Sequence, residues 1–464
     1  MKLSTLIKNI PHSGEGECDI TNIVYDSRRA HEGCLFVCLT GALRDGHEFA
    51  PKAYEGGARA FLVERELSLP GDCVQIITPD SRAALAVIAA DFYGRPADKL
   101  HIIGITGTKG KTTTALLVQE ILSEAGLDCA YIGSNGVIIN GYQRETANTT
   151  PESLVLHSYF DEMVRLGVKY AVLEVSSQAL IHNRVDGVPF EVCAFTNLSP
   201  DHISPVEHPT FEDYRDAKRR LFTDFDSKYA VYNADDPASA YMLCGYRGQA
   251  VSVSLEGDAD FSASKPENYR SNTSLGISYV TSHKGGQVET RLMSPGAFSV
   301  YNGLCATAIC ACLGVSPEIS AEVLAKTPVQ GRFEIVEGTP GVTFVVDYSH
   351  NGLSLTKALC TLRDYEPKRL ICVFGSVGGR TQCRRRELAE AASKYADYSI
   401  ITSDNPDFED PDAIIAEIAS HMGDAPYECI TDRRDAIKRA VTMAREGDIV
   451  LFAGNSAAVL HRYW

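Results

Sequence analysis

Residues 104–114 read GITGTKGKTTT and follow the apolar run LHIIGIT. Glycines let backbone N–H groups turn toward phosphate oxygens, and a helix opening at Lys111 adds its positive N-terminal end. The Lys111 ammonium then reaches the outer phosphates, and the Thr112 hydroxyl is placed to ligate Mg²⁺. The spacing departs from the general phosphate-loop pattern, because Ile105 stands where a glycine is expected. An ordinary strand-to-helix turn of this composition is the disfavoured alternative. Three further groups follow in chain order: Glu174 ends YAVLE, His202 lies in FTNLSPDHI, and Lys218 lies in FEDYRDAKRRLF. Taken singly each has an ordinary reading, as a helix cap, a surface turn and a solvated helix face. A second unusual stretch, TSDNPDFEDP at 402–411, crowds Asp404, Asp407, Glu409 and Asp410 behind the strand-like YSII.

The elements that must position these groups are legible as a pattern. A chain of 464 residues is too long for one core and implies several domains. The first 98 residues alternate short apolar strands (CLFVCL, RAFLVE, CVQII) with turns and end in the helix SRAALAVIAADFYG. From HIIGITG onward strands alternate with helices, which implies a mainly parallel sheet covered on both faces. Residues 250–295 loosen into a polar, β-like meander before the helix SVYNGLCATAICACLG. A second α/β unit begins near residue 330, with strands TFVVDY, RLICVFG, YSIITS and DIVLFAG. The expected domains are therefore 1–98, 99–328 and 329–464. In such sheets ligands bind outside the carboxyl ends of the strands, where both the glycine-rich loop and the acidic stretch fall.

Bulk composition excludes several classes. The net charge of −16 argues against a nucleic-acid binder, which needs a basic face. No run reads as a signal peptide or a membrane span. Most of the 14 cysteines sit in apolar runs as small hydrophobes, and no CxxC pair marks a zinc or redox site. A reducing cytoplasm and a monomer are the expectation, with no nucleic acid and no membrane insertion.

The loop TGTKGKTTT resembles the ATP loop of the Mur ligases and folylpolyglutamate synthetases, in which ATP hydrolysis drives amide-bond formation. The resemblance implies ATP contacts at Gly107, Thr108, Lys109, Gly110, Lys111, Thr112 and Thr113. It implies that Glu174 and His202 ligate Mg²⁺ beside Thr112, and that CO₂ carbamylates Lys218, turning a cation into an anion that holds a second Mg²⁺. Lys111, Glu174, His202 and Lys218 are the implied catalytic set. Further nucleotide contacts are implied at Asn302 (VYNGL), Arg332 (GRFE), Asp347 and His350 (VVDYSHNG).

Residues 25–60 resemble the UDP-binding domain of the MurE and MurF branches, with Ser27 and Arg28 in a DSR motif; the folylpolyglutamate synthetases lack it. NTTPES and EVSSQAL have the MurE form, so Thr149, Thr150, Ser176 and Arg184 match residues that hold a muramoyl-dipeptide. The implied fold is α/β in three domains: an N-terminal UDP-binding domain, a central P-loop-type ATPase with a parallel sheet, and a C-terminal Rossmann-like domain. The implied substrates are UDP-muramoyl-dipeptide, an amino acid and ATP. Phosphorylation of the D-glutamate γ-carboxylate would precede attack by the incoming amine, with the domains closing to exclude water.

The amino-acid end departs from the pattern. Diaminopimelate enzymes of the family read Asp-Asn-Pro-Arg where this chain has Asp404, Asn405, Pro406 and Asp407. A carboxylate in place of that arginine favours a substrate ending in an amine. The family's late Gly-Lys-Gly-His-Glu is replaced by AGNSAAVLHRYW, so its residues are missing after Gly454, and its Asp neighbour of Arg380 is Gly379. Arg380 itself matches the contact to the amino acid's α-carboxylate. Asp407 is equally open to reading as a solvated residue before the next helix, and Glu409 and Asp410 are expected to be solvated. The leading reading is a ligase adding an amino acid, of diamino type, to UDP-N-acetylmuramoyl-L-alanyl-D-glutamate in peptidoglycan synthesis. The alternatives are a sibling ligase for another nucleotide-sugar peptide and a silent binding protein on the same fold.

Overall fold

The computed structural model describes residues 1–41, 44–201, 203–204, 207–270, 275–328, 333–336, 338–379 and 383–454, the Cys383 side chain excepted. The chain is mixed α/β and divides into two compact units, residues 1–261 with 305–316, and 262–304 with 317–464.

In the first unit, β1 (Asn22–Val24), β2 (Cys34–Val37), β3 (Ala60–Val63) and β4 (Val74–Ile77) pair in sequence order, all parallel. The strands β2 and β3 are apolar throughout and buried at every position, as a parallel strand covered on both faces must be. One face packs under helices Leu3–Ile7 and Ser81–Phe92 through Leu35, Leu62, Leu85 and Ile88. The other packs Phe36, Phe61 and Val63 against Ala50 and Ala53 of helix Ala50–Glu55.

The same unit carries a larger sheet. Its strands are β5 (His101–Thr106), β6 (Cys129–Gly133), β7 (Gly136–Ile139), β8 (Tyr142–Arg144), β9 (Tyr170–Glu174), β10 (Phe190–Phe195), β11 (Tyr229–Asn233) and β12 (Gln249–Ser254). They lie in the order β12-β11-β10-β5-β9-β6-β7-β8. From β12 to β6 the pairs are parallel, and β6, β7 and β8 form an antiparallel meander that the apolar pattern did not announce. The consequence is that β5 lies between β9 and β10. The carboxyl ends of β9 and β10, 68 and 89 residues beyond that of β5, become its neighbours.

In the second unit the polar stretch forms the expected meander, β13 (Phe261–Arg270), β14 (Leu275–His283) and β15 (Gly286–Leu292), with β14 and β15 antiparallel. The C-terminal sheet contains β16 (Glu334–Val336), β17 (Thr343–Asp347), β18 (Leu370–Phe374), β19 (Tyr398–Ile401), β20 (Tyr427–Cys429) and β21 (Ile449–Ala453), in the order β16-β17-β21-β18-β19-β20. Every pair but β16–β17 is parallel. The meander is tied to this sheet by Tyr365, whose hydroxyl donates to the Gly276 carbonyl at 2.6 Å, and by Arg270, which donates to the Asp448 carbonyl at 3.1 Å.

None of the thirteen described cysteines is in a disulfide. Among the described residues no helix is long and apolar enough to cross a membrane.

One core residue makes stability depend on pH. His157, on helix Ser153–Arg165, is fully buried, and neither ring nitrogen has a hydrogen-bond partner among the described residues. Burial lowers its pKa to about 4. The unfolded chain titrates near the usual value of about 6.5, so between those values it binds more protons than the folded chain. Stability is therefore intact above about pH 6.5 and falls toward pH 4, by about 1.4 kcal/mol per pH unit from this group. His157→Phe is expected to flatten that slope in urea titrations at pH 7.5 and pH 5. An unchanged slope would assign the acid sensitivity to other groups.

Candidate active site

The glycine-rich loop leaves β5 and enters helix Lys111–Glu124, as its sequence implies. Gly107 has φ +146 and Gly110, the residue before the helix, has φ +86, both in the region that favours glycine. A β-carbon on Gly107 would lie 2.0 Å from Thr196 Oγ1, so no other residue fits there. The loop is clamped by the segment that follows β10. The Thr108 N–H donates to the Asn197 carbonyl at 2.8 Å, and the Thr108 hydroxyl joins both the N–H and the carbonyl of Ser199. Thr196 Oγ1 donates to the Lys109 carbonyl at 2.7 Å, and the Lys109 ammonium pairs with Asp201 at 2.9 Å.

Two lysines converge on one carbonyl. Lys111 Nζ donates to the Gly107 oxygen at 2.8 Å and Lys218 Nζ donates to the same oxygen at 2.9 Å. Lys218 is on helix Phe211–Thr223, whose start is fixed by a Thr210–Asp213 capping box. The ordinary reading of Lys218 taken alone, a solvated helix face, does not hold, because the residue is 1% exposed. Its stem follows the inward face of the helix, and its ammonium lies 4.4 Å from the centre of the Tyr214 ring. No carboxylate forms an ion pair with it among the described residues. Burial, with the nearby Lys111 charge, pushes its pKa well below the usual lysine value.

Glu174 closes β9, fully buried. Oε1 accepts from the Tyr131 hydroxyl at 2.6 Å and the Ser134 N–H at 2.9 Å, and Oε2 accepts from the Thr112 hydroxyl at 3.0 Å. Two hard oxygen donors of the kind Mg²⁺ takes are thus side by side at the start of the phosphate-loop helix. Among the described residues no cluster of three His, Cys, Asp or Glu side chains could hold a metal ion. His202, the third expected ligand, lies outside the described residues, as do Arg332 and Arg380.

The residues expected at the acceptor end gather behind Glu174. Thr150 Oγ1 donates to the Glu174 carbonyl at 2.8 Å and accepts from the Ser176 N–H at 3.1 Å. Thr149 meets Ser134 Oγ at 3.0 Å, and Arg184 donates to the Thr150 carbonyl at 3.2 Å. Ser27 and Arg28 form a single 3₁₀ turn after β1. The Arg28 guanidinium folds back on Asp26 at 2.6 Å and holds that carboxyl down at about 2.

In the second unit, Asn302 is buried on helix Ala297–Cys312. Asp347 ends β17, where its carboxylate accepts from the Phe333 N–H at 3.2 Å and from the Ser349 hydroxyl. His350 Nδ1 meets the Tyr348 carbonyl at 3.0 Å. Beyond β18 and β19, loops 375–379 and 402–410 lie against each other. The Gly378 N–H donates to the Asn405 carbonyl at 2.8 Å, and Asp404 Oδ2 would lie 2.8 Å from a β-carbon on Gly454. Asp407 is exposed with φ +52, a conformation that Asp tolerates. Glu409 is not merely solvated: it accepts from the Gly379 N–H at 2.6 Å and pairs with Arg385 at 2.7 Å. Asp410 caps helix Pro411–Ala419 by accepting from the Asp412 N–H at 3.1 Å.

Three segments of the chain match known domains: residues 19–93 the Mur ligase family catalytic domain, 105–310 the Mur ligase middle domain, and 331–456 the Mur ligase glutamate ligase domain. This chain belongs to the Mur ligase family. It is 40% identical over 468 residues to the UDP-N-acetylmuramoyl-L-alanyl-D-glutamate--2,6-diaminopimelate ligase of Geobacillus thermodenitrificans, covering 98% of this chain and 94% of that one. The protein of the same name from Clostridium botulinum is 37% identical over 462 residues, with 98% and 94% covered. A solved structure of a ligase of that name superimposes with a TM-score of 0.70 at 30% identity, covering 94% of this chain and 89% of that one. MurF of Acinetobacter baumannii, at 21% identity, 97% and 94% coverage and a TM-score of 0.66, shares the fold. The three-domain Mur ligase architecture is therefore the architecture of this chain.

Several residues of this Mur ligase site escaped the reading of its sequence. Tyr131 and Ser134, which aim Glu174, sit in a β-hairpin with no motif of its own. Tyr214 stands four residues before Lys218, a spacing that puts both on one helix face, and its hydroxyl donates to Thr108 Oγ1 at 3.2 Å. His208, buried against Tyr214, meets Ser177 Oγ at 2.9 Å. Gly378 was also passed over. A β-carbon there would lie 1.9 Å from the Pro406 carbonyl oxygen, a backbone atom that cannot swing aside. Gly378→Ala is expected to lower stability by about 1–3 kcal/mol in urea unfolding and to speed hydrogen exchange across residues 402–407. Unaltered exchange there would show that the two loops do not support each other.

Proposed function

We propose that this Mur ligase joins a diamino acid to the γ-carboxylate of the D-glutamate in UDP-N-acetylmuramoyl-L-alanyl-D-glutamate, using ATP and an acyl phosphate. The observation that carries the reading is the convergence of Lys111 and Lys218 on the Gly107 carbonyl, beside the Glu174–Thr112 pair. The names of the relatives support the acceptor and the diamino acid. The domains are proposed as 1–98, 99–328 and 329–464, each containing one of the matched segments. Action as a cytoplasmic monomer is part of the proposal; the described cysteines, none of them in a disulfide, fit a reducing compartment.

The mechanism follows from the site. Backbone N–H groups of Gly107 and of Gly110 to Thr113 cradle the ATP phosphates, those of Thr108 and Lys109 being given to Asn197, with Asn302, Arg332, Asp347 and His350 as the remaining nucleotide contacts. The acceptor carboxylate attacks the γ-phosphorus and ADP leaves; the incoming amine then attacks the acyl carbon and phosphate leaves. Lys111 offsets the charge that builds on the transferred group, so catalysis comes from placement and charge stabilisation. Thr112, Glu174, His202 and a carbamylated Lys218 would hold Mg²⁺, which supplies neutralisation of phosphate charge when bound. The hydrogen bonds from Tyr131 and Ser134 occupy Oε1 of Glu174 and orient Oε2 toward Thr112. Ser27 and Arg28 serve the uridine diphosphate, and Thr149, Thr150, Ser176 and Arg184 the dipeptide.

Arg380, Asp404, Asn405 and Asp407 form the amino-acid end. Arg385, the nearby buried cation, is already paired with Glu409 and Glu417. Asp407 thus has no described cation paired to it, and in this reading its carboxylate suits a distal ammonium. Diaminopimelate, lysine and ornithine all carry one.

Three measurements test the reading. Phosphate release with ATP, the UDP-muramoyl-dipeptide and a panel of meso-diaminopimelate, lysine and ornithine should occur with at least one of them; release with none would sink it. Lys218→Ala should lower kcat by about a hundredfold or more, and full activity in that variant would remove the carbamate from the mechanism. Asp407→Arg should weaken the amine-ended substrates, lysine and ornithine, relative to diaminopimelate. An unchanged preference would place Asp407 outside the pocket.

A further inference from the structure

Among the ties between the N-terminal sheet domain and the central domain, two end at Arg184 or its neighbour. Asp80, the cap of helix Ser81–Phe92, accepts from Asn183 Nδ2 at 3.0 Å. Arg82, in the first turn of that helix, donates two hydrogen bonds to the Thr40 carbonyl, both at 3.2 Å, and pairs with Glu152 at 3.1 Å. Glu152 stands at the start of helix Ser153–Arg165 and also pairs with Arg184 at 2.9 Å. One carboxylate thus holds two guanidinium groups, one from each domain.

These are not ordinary surface pairs, which are worth little. The three side chains are 17%, 14% and 13% exposed. The guanidinium is a planar fork whose direction is set by the groups it grips. Arg184 grips the Thr150 carbonyl with one terminal nitrogen and Glu152 with the other. Two cations share one anion, so the cluster retains a positive charge with which to meet an anionic ligand. Removing the Glu152 charge would leave two guanidiniums facing each other and would turn Arg184 away.

We propose that Arg82 and Glu152 are positioning residues of the acceptor site. Arg82, seated in the N-terminal domain, holds Glu152, and Glu152 holds Arg184 in the pose that receives a carboxylate of the acceptor's peptide end. This rests on the acceptor reading given above. The acceptor is one long molecule whose nucleotide and peptide ends bind different domains. Through this relay the cation for the peptide end is aimed only while the N-terminal domain is seated.

The test compares Glu152→Gln, Arg82→Lys and the exchange of both residues (Arg82→Glu with Glu152→Arg). Thermal unfolding, calorimetric binding of the UDP-muramoyl-dipeptide and steady-state kinetics are measured for each. Glu152→Gln is expected to raise the KM and Kd for the acceptor by about tenfold, with the KM for ATP and kcat within about twofold. Arg82→Lys, which keeps the charge but loses the fork, should raise the same constants less. The exchange restores an ion pair between the domains, and with it the unfolding temperature, yet leaves Arg184 facing a second guanidinium. The acceptor KM should therefore stay high. Recovery of that KM in the exchange variant would reduce the cluster to a simple tie and overturn the proposal, as would wild-type constants in Glu152→Gln. Failure of the wild-type protein to bind the acceptor at all would sink the acceptor reading together with this one. Normal binding with indifferent variants would sink this one alone.

Discussion

The Gly107 carbonyl oxygen accepts from two lysine nitrogens, and the geometry of the centre depends on that shared acceptor. Bringing two lysines to one buried oxygen disfavours charge on both, and burial with the Lys111 charge lowers the pKa of Lys218. The arrangement survives because each partner is held independently. Lys111 is fixed by the first turn of its helix, and Lys218 by a capped helix and the face of Tyr214. Gly107 is held by the segment Thr196–Ser199, which leaves no room for a side chain. The two lysine nitrogens and the loop are therefore held in place by the fold itself, so their geometry does not have to be gathered at the moment of reaction.

Sheet order supplies this assembly. With β5 between β9 and β10, the carboxyl ends of the three strands deliver the phosphate loop, Glu174 and the clamping segment to one edge. Chains that run parallel need long crossovers, so the groups are distant in sequence while their strand ends are close. The same logic operates in the second unit. There the ends of β18 and β19 bring the loops 375–379 and 402–410 into contact, and Gly378 allows the approach.

Legibility differed with the kind of signal. The glycine-rich loop was readable because its function is carried by backbone conformation, and a glycine announces that directly. The buried strands β2, β3, β5 and β18 were readable as continuous apolar runs. The hairpin β6–β8 was not, because Tyr142, Gln143 and Arg144 are exposed and show no apolar alternation. Lys218 was misjudged as a lone residue, since a lysine before two arginines normally faces water. Its burial follows from the packing of the whole helix against the sheet, which no local window contains. Glu409 was misjudged for the same reason: its partners, Arg385 and the Gly379 N–H, are 24 and 30 residues away.

The amino-acid sequence by itself determined the α/β class, the phosphate loop and the family, because these depend on residue types at short spacing: glycines, apolar runs and the motifs around Thr149, Glu174 and Lys218. Only the tertiary structure decided that Lys111 and Lys218 share an oxygen, that Tyr131 and Ser134 aim Glu174, and that Arg82 of one domain grips Glu152 of the next. Each of these is a meeting of groups brought together by strand order or domain seating. Such meetings are fixed by the packing of cores that include Ile102, Leu173 and Phe195, not by the residues that meet.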